Sequence, residues 1–496
     1  MIVSKVLFVQ SSFYSDDGRL VRANGLLDRL STVNVAELGI PLLAAYTPPG
    51  IQVEMVDDAL ESIPWDTTAE VVAISAKLIQ RKRALDLAAA FQRRGKVVVL
   101  GGFLASLHPE GLEGRFAAIC IGDGDQVWPQ MIEDMQNDRL RKVYRADHAV
   151  DLHSVPVPRY DLLAEKSRLL GIRTSYPVQA TRGCPHSCSY CCITRFYGQT
   201  YRYRPIDQIV RDIRAHGSRL MHFVDDNLMV NRAFAKELFR NMVGLDVLWG
   251  TQTSIDIARD DELLELAYRA GCRVVMVGME STSQRNLEAV NKGWGGAGSY
   301  RDAIRTIQGK GIAVHALIIL GLPHDTQKSI DGTVDFLVDA GAAAAEFFIF
   351  TPYPGTPAGE EYRRQGRIVD FDPTHYREPF VVFQHAHLSA RELQRGFWRS
   401  LSRFYSFRNI YRRLCRSGLP SKKLPLVLNL LYWWKIRRSI VPTHFQRGNY
   451  LTMSFPEASR EVGNSRDPGP SGFPLDGQDP GGAATPPEAS HVPSSS

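Results

Sequence analysis

Four of the seven cysteines lie within one short segment, Cys184-Pro-His-Ser-Cys188-Ser-Tyr-Cys191-Cys192. The three-and-two spacing of the first three differs from the two separated ligand pairs of a structural zinc site. Three such close thiolates suit three corners of a [4Fe–4S] cube and leave its fourth iron open to a ligand that is not protein. Two other interpretations stay open: a partial zinc site with His186 as fourth ligand, and a group of buried, unliganded thiols. Cys192 is left out, because adjacent residues rarely both reach one small cluster.

The motif resembles that of the radical S-adenosylmethionine (SAM) enzymes. This resemblance implies that Cys184, Cys188 and Cys191 hold the cluster, whose open iron chelates the amino and carboxylate groups of SAM. In that family an electron from the cluster breaks a carbon–sulfur bond of SAM and yields a 5′-deoxyadenosyl radical. Tyr190 matches the family's aromatic residue that packs near the adenine.

The length and composition are those of a globular protein with more than one domain. The 496 residues are enough for two or three domains, and 44% hydrophobic and 23% charged residues are ordinary proportions. The crowding of the cysteines excludes a disulfide framework and favours a reducing compartment. The N-terminus lacks the pattern of a signal peptide, and no apolar stretch approaches the ~20 residues of a spanning helix. We therefore expect a cytoplasmic location.

Residues 1–140 alternate strand-like apolar runs with runs of helical spacing, which predicts an open parallel sheet with helices on both faces. Ligands of such doubly wound, Rossmann-like sheets bind beyond the carboxyl ends of the strands, where glycine permits close backbone approach. The candidate ligand-binding residues at these ends are Ser75, Gly101, Gly102, Gly122 and Gly124. No G-x-G-x-x-G fingerprint of a dinucleotide site is present.

Three pieces of this region are similar to recurring segments of the cobalamin-binding radical SAM subfamily. They are Leu38-Gly39-Ile40-Pro41-Leu42, Val98-Val99-Leu100-Gly101-Gly102 and Ile121-Gly122-Asp123-Gly124-Asp125. The resemblance implies that cobalamin binds at the five residues named above. The Asp-x-His-x-x-Gly sequence that supplies a lower cobalt ligand elsewhere is absent, as is common in this subfamily. The alternative is a degenerate sheet domain that only shapes the substrate cavity.

Residues 141–175, with prolines at 156 and 158, are predicted to link this domain to a second one at 176–375. In the second region six strand–helix units follow one another. They predict a partial, open (βα)6 barrel, because a full eight-unit barrel usually needs ~250 residues.

Polar residues at the ends of the barrel strands are candidates for SAM binding, since barrels place their chemistry there. A carboxylate of Asp225 or Asp226 would suit the SAM ammonium. By resemblance, Ser254, Asp256 and Glu280 would bond the methionyl carboxylate and the ribose, and Gly321 would lie near the adenine. The alternative for each is a helix cap or a solvated loop residue. The glycine-rich segment Asn291–Gly298 departs from the family's more polar loop, and we assign it no role from the sequence.

Residues 376–455 are predicted to form a basic, mostly helical C-terminal region, with no acidic residue between 393 and 456. Cations and aromatic residues interleave there, which fits a helical cap on the barrel or a peripheral membrane contact through 393–447. Nucleic acid is the partner we least expect. Residues 456–496 are rich in Pro, Gly and Ser, which predicts a disordered tail.

Together these features predict a cobalamin-dependent radical SAM C-methyltransferase. The resemblance implies an unactivated carbon of a small, hydrophobic substrate (a lipid or a tetrapyrrole) as the methyl acceptor. It also implies an electron donor of the flavodoxin or ferredoxin type. Two alternatives stay open: an oxidative cyclase or rearrangement enzyme without methyl transfer, and a non-catalytic cobalamin or cluster sensor. A methylthiotransferase is disfavoured, because only Cys120 lies upstream of the motif.

Overall fold

The N-terminal part of the protein is built on a parallel sheet whose four central strands are almost wholly buried. In the computed structural model the described residues are 2–15, 18–22, 37–146, 150–163, 168–169, 172–173 and 175–438. The predicted tail at 456–496 lies outside them. The sheet runs β2-β1-β3-β4-β5-β6, and its strands are β1 (Lys5–Gln10), β2 (Gln52–Asp57), β3 (Val71–Ser75), β4 (Val97–Gly101), β5 (Ala118–Ile121) and β6 (Val143–Arg145).

Helices cover both faces of this sheet, as the alternating pattern predicted. They are α1 (Gly39–Ala45), α2 (Arg81–Gln92), α3 (Phe103–Leu107) and α4 (Gly124–Gln136). One apolar core forms between the sheet and α2, and a second between the sheet, α1 and α4. The strand order reverses between β1 and β3, which places a topological switch point at the carboxyl ends of these strands.

The second half contains an open parallel sheet in the order β16-β15-β14-β13-β12-β9. Together with two short hairpins, its strands are β7 (Arg168–Leu169), β8 (Ile172–Arg173), β9 (Tyr176–Val178), β10 (Thr181–Arg182), β11 (Arg202–Tyr203), β12 (Leu220–Phe223), β13 (Leu248–Thr253), β14 (Cys272–Glu280), β15 (Ala313–Leu320) and β16 (Ala344–Ile349). The helices of this half are α5 (Ile193–Tyr197), α6 (Ile206–His216), α7 (Arg232–Met242), α8 (Asp261–Arg269), α9 (Gln284–Ala289), α10 (Tyr300–Gly309), α11 (Gln327–Ala340) and α12 (Pro357–Arg364). This is the predicted partial barrel of six strands.

Three C-terminal helices cover the open edge of this barrel: α13 (Ala390–Phe404), α14 (Phe407–Arg416) and α15 (Lys423–Arg437). β16 is an edge strand, so some of its peptide groups have no strand partner. The Tyr405 hydroxyl satisfies two of them, donating to the Ala345 carbonyl at 2.6 Å and accepting from the Ala345 N–H at 3.1 Å. Buried Arg413 donates to the carbonyls of Ala342 and Ala343, just before the strand.

An acidic stripe on α11 pairs with the basic residues of the C-terminal helices. Asp331, Asp335 and Asp339 recur every four residues and so share one helix face. Their partners are Arg399, Arg403, Arg412 and Arg416. These ion pairs attach α13 and α14 to the barrel helix α11. Among the described residues no helix is both long and apolar enough to cross a membrane.

Candidate active site

The three motif cysteines lie on the loop that follows β10 and precedes α5, within the connection from β10 to β11. None forms a disulfide; Cys188 is buried, and Cys184 and Cys191 are half-buried. Burial raises the pKa of all three thiols, to about 12 for Cys191. Each of the pairs Cys184–Cys188 and Cys188–Cys191 is close enough to interact electrostatically.

Three neighbouring free thiols on one loop fit the three protein ligands of a [4Fe–4S] cluster. Within the described ranges, no group of three His, Cys, Asp or Glu side chains already converges as a metal site. The zinc interpretation required His186 as a ligand. Its ring instead stacks on Trp294, with the ring centres 3.8 Å apart.

Asp225 fixes the approach of the chain to the cysteine loop. Its buried carboxylate accepts hydrogen bonds from the backbone N–H groups of Ala180 and Thr181 and, at 2.6 Å, from the Thr181 hydroxyl. Burial raises its pKa to about 7, and these hydrogen bonds oppose the rise. The oxygens of Asp225 are therefore largely occupied by the protein itself.

Asp226 and Asn227 lie between the cysteine loop and the next strand end. Asp226 accepts one hydrogen bond, from the Gly183 N–H at 3.2 Å, and burial raises its pKa to about 6. Asn227 is within hydrogen-bonding reach of Cys184 and donates to the Ser254 hydroxyl at 2.6 Å. Of the two predicted aspartates, Asp226 has more capacity left for a cationic ligand.

The remaining predicted SAM residues fall into separate environments. Glu280 has a left-handed backbone, with φ of 59°, and pairs with Lys292 at 2.7 Å, while Tyr190 lies within its hydrogen-bonding reach. Asp256 pairs with Arg232. Gly321, also left-handed, packs against the C-terminal cap, where a Cβ would lie 2.6 Å from Leu393. The SAM roles of these residues stay predictions.

A cavity of about 580 Å³ joins the sheet domain to the barrel. Its lining includes all five residues predicted to bind cobalamin, and also Asp225 and Asp226. The cavity therefore begins at the switch point of the first sheet and ends beside the cysteine loop. Its volume is in the range of pockets that enclose cofactors.

Glycine occupies three positions at the cavity wall for different physical reasons. A Cβ on Gly101 would meet only the Cys120 Cβ, at 3.9 Å, so glycine keeps open space there. Gly102 has φ of 91°, and its Cβ would lie 2.9 Å from the Ala76 carbonyl oxygen, so the turn itself requires glycine. A Cβ on Gly124 would press on Leu43 of α1.

Sequence reasoning missed Arg182, which links the two domains. Two residues before the first cysteine and only 2% exposed, it donates to both carboxylate oxygens of Asp123 at 2.8 Å and to Asp125 at 2.6 Å. A second contact joins the two domains, since the rings of Phe103 in α3 and Phe196 in α5 lie 4.8 Å apart. Only the short distance of Arg182 from the cysteine motif could have pointed to it.

Residues 178–337 match the family model described as the radical SAM superfamily. That range includes the cysteine loop and four complete barrel strands, β12 to β15. Residues 178–337 are therefore a radical SAM domain. The protein is accordingly a radical SAM enzyme, with a [4Fe–4S] cluster and SAM as its cofactors.

Several similar curated proteins are methyltransferases by name, and two are anaerobic magnesium-protoporphyrin IX monomethyl ester cyclases. The bacteriochlorophyllide d C-12(1)-methyltransferase of Chlorobaculum tepidum is 27% identical over 76% of this chain and 84% of its own. The C-8(2)-methyltransferase of the same organism is 28% identical over 80% and 90%. The hopanoid C-2 methylase of Rhodopseudomonas palustris is 27% identical over 69% and 67%.

The fold is that of a solved radical SAM methyltransferase. TsrM from Kitasatospora setae, determined with tryptophan and a SAM analogue, has a TM-score of 0.63 at 16% identity. The match covers 88% of this chain and 97% of TsrM. It confirms the predicted architecture of a sheet domain followed by a partial barrel.

Proposed function

We propose that this chain is a cobalamin-dependent radical SAM C-methyltransferase. Its methyl acceptor is an unactivated carbon of a hydrophobic small molecule of the tetrapyrrole or hopanoid-like lipid class. The observation that carries the proposal is the cavity that the sheet domain and the cysteine loop share. A cofactor seated in it would touch the strand ends on one side and approach the SAM site on the other.

The walls of the cavity fit a large, flat corrinoid. The open space at Gly101 lets a bulky ligand approach the backbone, and apolar side chains such as Phe8, Val99 and Trp128 line the cavity. The histidine among the described lining residues, His222, stands on barrel strand β12, and burial lowers its pKa to about 4. No described lining residue from the sheet domain is a histidine.

In this mechanism the protein supplies position and exclusion of water. Cys184, Cys188 and Cys191 would hold the cluster, and Asp226 would bind the SAM ammonium. Asp225 holds strand β10, which leads into the cysteine loop. Arg182 holds the start of that loop against the turn of the sheet domain that contains Asp123 and Asp125. Cluster and SAM supply a radical that removes hydrogen, and the corrinoid supplies the methyl group. The apolar walls keep water from both reactions.

A surface on α14 and α15 supports a membrane contact within the predicted range 393–447. It exposes the large apolar side chains of Phe407, Tyr411, Leu424, Val427 and Leu430. It also exposes four cations, Lys422, Lys423, Arg437 and Arg438, which are not the arginines that pair with the α11 stripe. Such a combination favours an anionic bilayer surface, where a hydrophobic substrate would be found.

The membrane contact can be tested by sedimentation with anionic vesicles. The double variant Val427→Glu, Leu430→Glu should no longer sediment with the vesicles, whereas Phe371→Glu, at another exposed site, should still do so. Equal binding of all three proteins would refute this contact.

The proposed reaction is tested with anaerobically reconstituted protein, SAM labelled at its methyl group, and bacteriochlorophyllide d or a hopanoid as acceptor. We expect the protein to retain the corrinoid spectrum and the corrinoid to take up the methyl label from SAM. We also expect a product in which a methyl group has replaced one hydrogen of the acceptor. Conversion of the acceptor without a label would instead indicate a cyclase or rearrangement enzyme. A protein that cleaves SAM but retains no corrinoid would refute cobalamin-dependent methyl transfer.

A further inference from the structure

The segment Asn291–Gly298, to which the sequence assigned no role, begins against the cysteine loop. The Ser189 N–H donates to the Val290 carbonyl at 3.1 Å. The Asn291 amide donates to both the carbonyl and the hydroxyl of Ser187, each at 2.8 Å. Asn291 adopts a left-handed backbone, with φ of 57°, a conformation that asparagine tolerates better than most residues. These contacts fix the next residue, Lys292, relative to the cysteines.

Lys292 and Glu280 form an ion pair within the protein, beside the cysteines. Their side-chain atoms lie 2.7 Å apart, and each residue is only 8% exposed. Gly278 leaves the space for the pair, since its Cβ would lie 2.6 Å from a Glu280 oxygen and 2.9 Å from the Lys292 nitrogen. A buried pair of this kind has high desolvation costs, so it is weak evidence of a stabilising role.

Both charges lie beside the cysteine loop. Lys292 directly follows Asn291, which is hydrogen-bonded to Ser187, and Tyr190 lies within hydrogen-bonding reach of Glu280. Ser187 directly precedes Cys188, and Tyr190 directly precedes Cys191. The pair therefore presents two opposite charges to the same ligand set.

Aromatic rings separate this pair from solvent on one side. Trp294 stacks on His186 of the cysteine loop, with 16° between the ring planes, and the Lys292 nitrogen lies 5.5 Å from the Trp294 ring centre. Charges act more strongly where water is excluded, because the effective dielectric constant is lower. Net charge, hydrogen bonding and solvent exposure are also the properties that set the potential of an iron–sulfur cluster.

We propose that the charges of Lys292 and Glu280 each act on the reduction potential of the cluster, in opposite directions. Lys292 stabilises the reduced cluster, which carries one more negative charge, and Glu280 destabilises it. In the intact pair the two effects largely cancel. The inference rests on the cluster held by Cys184, Cys188 and Cys191, and it is independent of whether a corrinoid binds.

The test is a redox titration of the reconstituted cluster without SAM, followed by electron paramagnetic resonance. Lys292→Met should lower the midpoint potential and Glu280→Gln should raise it. We expect each to change the one-electron equilibrium about tenfold, which is about 59 mV. The double variant should return close to the wild-type potential, and Lys292→Arg, which keeps the charge, should resemble wild type. Asn291→Ala, which loosens the segment without changing its charge, is the matched control.

Shifts of Lys292→Met and Glu280→Gln in the same direction would overturn the proposal, because loosened packing or added solvent would produce that result. Unchanged potentials in both variants would overturn it as well. If Lys292→Met assembled no cluster, Glu280→Gln would still decide by the sign of its shift. Loss of corrinoid binding in any variant would concern the proposed methyl transfer and not this inference.

Discussion

Arg182 of the barrel donates a hydrogen bond to Asp125 of the sheet domain at 2.6 Å, and both side chains are buried. Arg182 stands two residues before the first cluster cysteine, and Asp125 belongs to the turn whose Gly122 and Gly124 line the cavity. A single guanidinium thus joins the two loops that would hold the two cofactors. The structure of one loop therefore depends on the presence of the other.

Replacing Arg182 should damage both the fold and the cavity. Arg182→Gln leaves two carboxylates at the domain junction without their partner, and removing one member of a buried pair typically costs about 3–5 kcal/mol. We expect a lower unfolding midpoint in urea and weaker corrinoid retention. Arg364→Gln removes a solvent-exposed pair with Glu361 and should leave stability almost unchanged, because water screens such pairs. Equal stability of the two variants would contradict the coupling.

Adjacent glycines at the cavity wall should respond differently to substitution. Gly101→Leu has room for its Cβ, so the protein should fold and lose corrinoid binding, because the side chain occupies the cavity. Gly102→Ala places a Cβ 2.9 Å from the Ala76 carbonyl oxygen on a left-handed backbone, so it should lower the melting temperature. The measurements are thermal melts and the corrinoid absorbance after gel filtration. A Gly101→Leu protein with full corrinoid binding would contradict the proposed site.

The hydroxyl of Tyr405 should be needed to cap the edge strand. Tyr405→Phe leaves the N–H and the carbonyl of Ala345 buried without this partner, at a cost of about 1–3 kcal/mol. Tyr411→Phe is the matched control, because Tyr411 is exposed on the neighbouring helix. Urea unfolding followed by circular dichroism should separate the two. Indistinguishable midpoints would show that the edge of β16 does not depend on the cap.

Acid should weaken the barrel through His315. Burial lowers its pKa to about 4, below the ordinary 6.5, so the unfolded chain binds the proton first as the pH falls. The stability contribution of neutral His315 is present above pH 6.5 and is lost as the pH falls from 6.5 to 4. Between pH 7 and pH 5 the loss is about 2 kcal/mol.

His315→Met should remove this part of the pH dependence, and His153→Gln, at an exposed histidine, should leave it intact. The measurement is the urea midpoint of each protein at pH 7 and pH 5. If the midpoint of His315→Met fell as steeply with acid as that of wild type, the assignment to His315 would be wrong.

The sequence was sufficient for features that depend on local pattern. The apolar runs of β1 and β3–β5 are buried on both faces, so their composition identified them, and the cysteine spacing identified the loop. Gly101 and Gly102 were predicted as one ligand-binding pair. The structure separates them, since only Gly102 is required by its own turn. That distinction depends on the nearby Ala76 carbonyl, which no local pattern specifies.

Long-range pairs could not be predicted in the same way. Arg182 and Asp125 lie 57 positions apart in the sequence, and the arginines of α13 and α14 face an α11 stripe more than 60 positions away. From sequence alone those arginines fitted a membrane surface about as well as a cap, and a nucleic acid less well. Likewise, a role for Lys292 could be inferred only from the fold, which places its side chain beside Glu280. Such partners are set by tertiary packing, not by spacing along the chain.

The most direct test of the account is formation of 5′-deoxyadenosine from SAM by anaerobically reconstituted, chemically reduced protein. Wild type, Cys184→Ala and Cys192→Ala should be compared at equal protein concentration. The account predicts SAM cleavage by wild type and by Cys192→Ala, and none by Cys184→Ala, which lacks one of the three cluster ligands. Cleavage by Cys184→Ala at the wild-type rate would contradict the account.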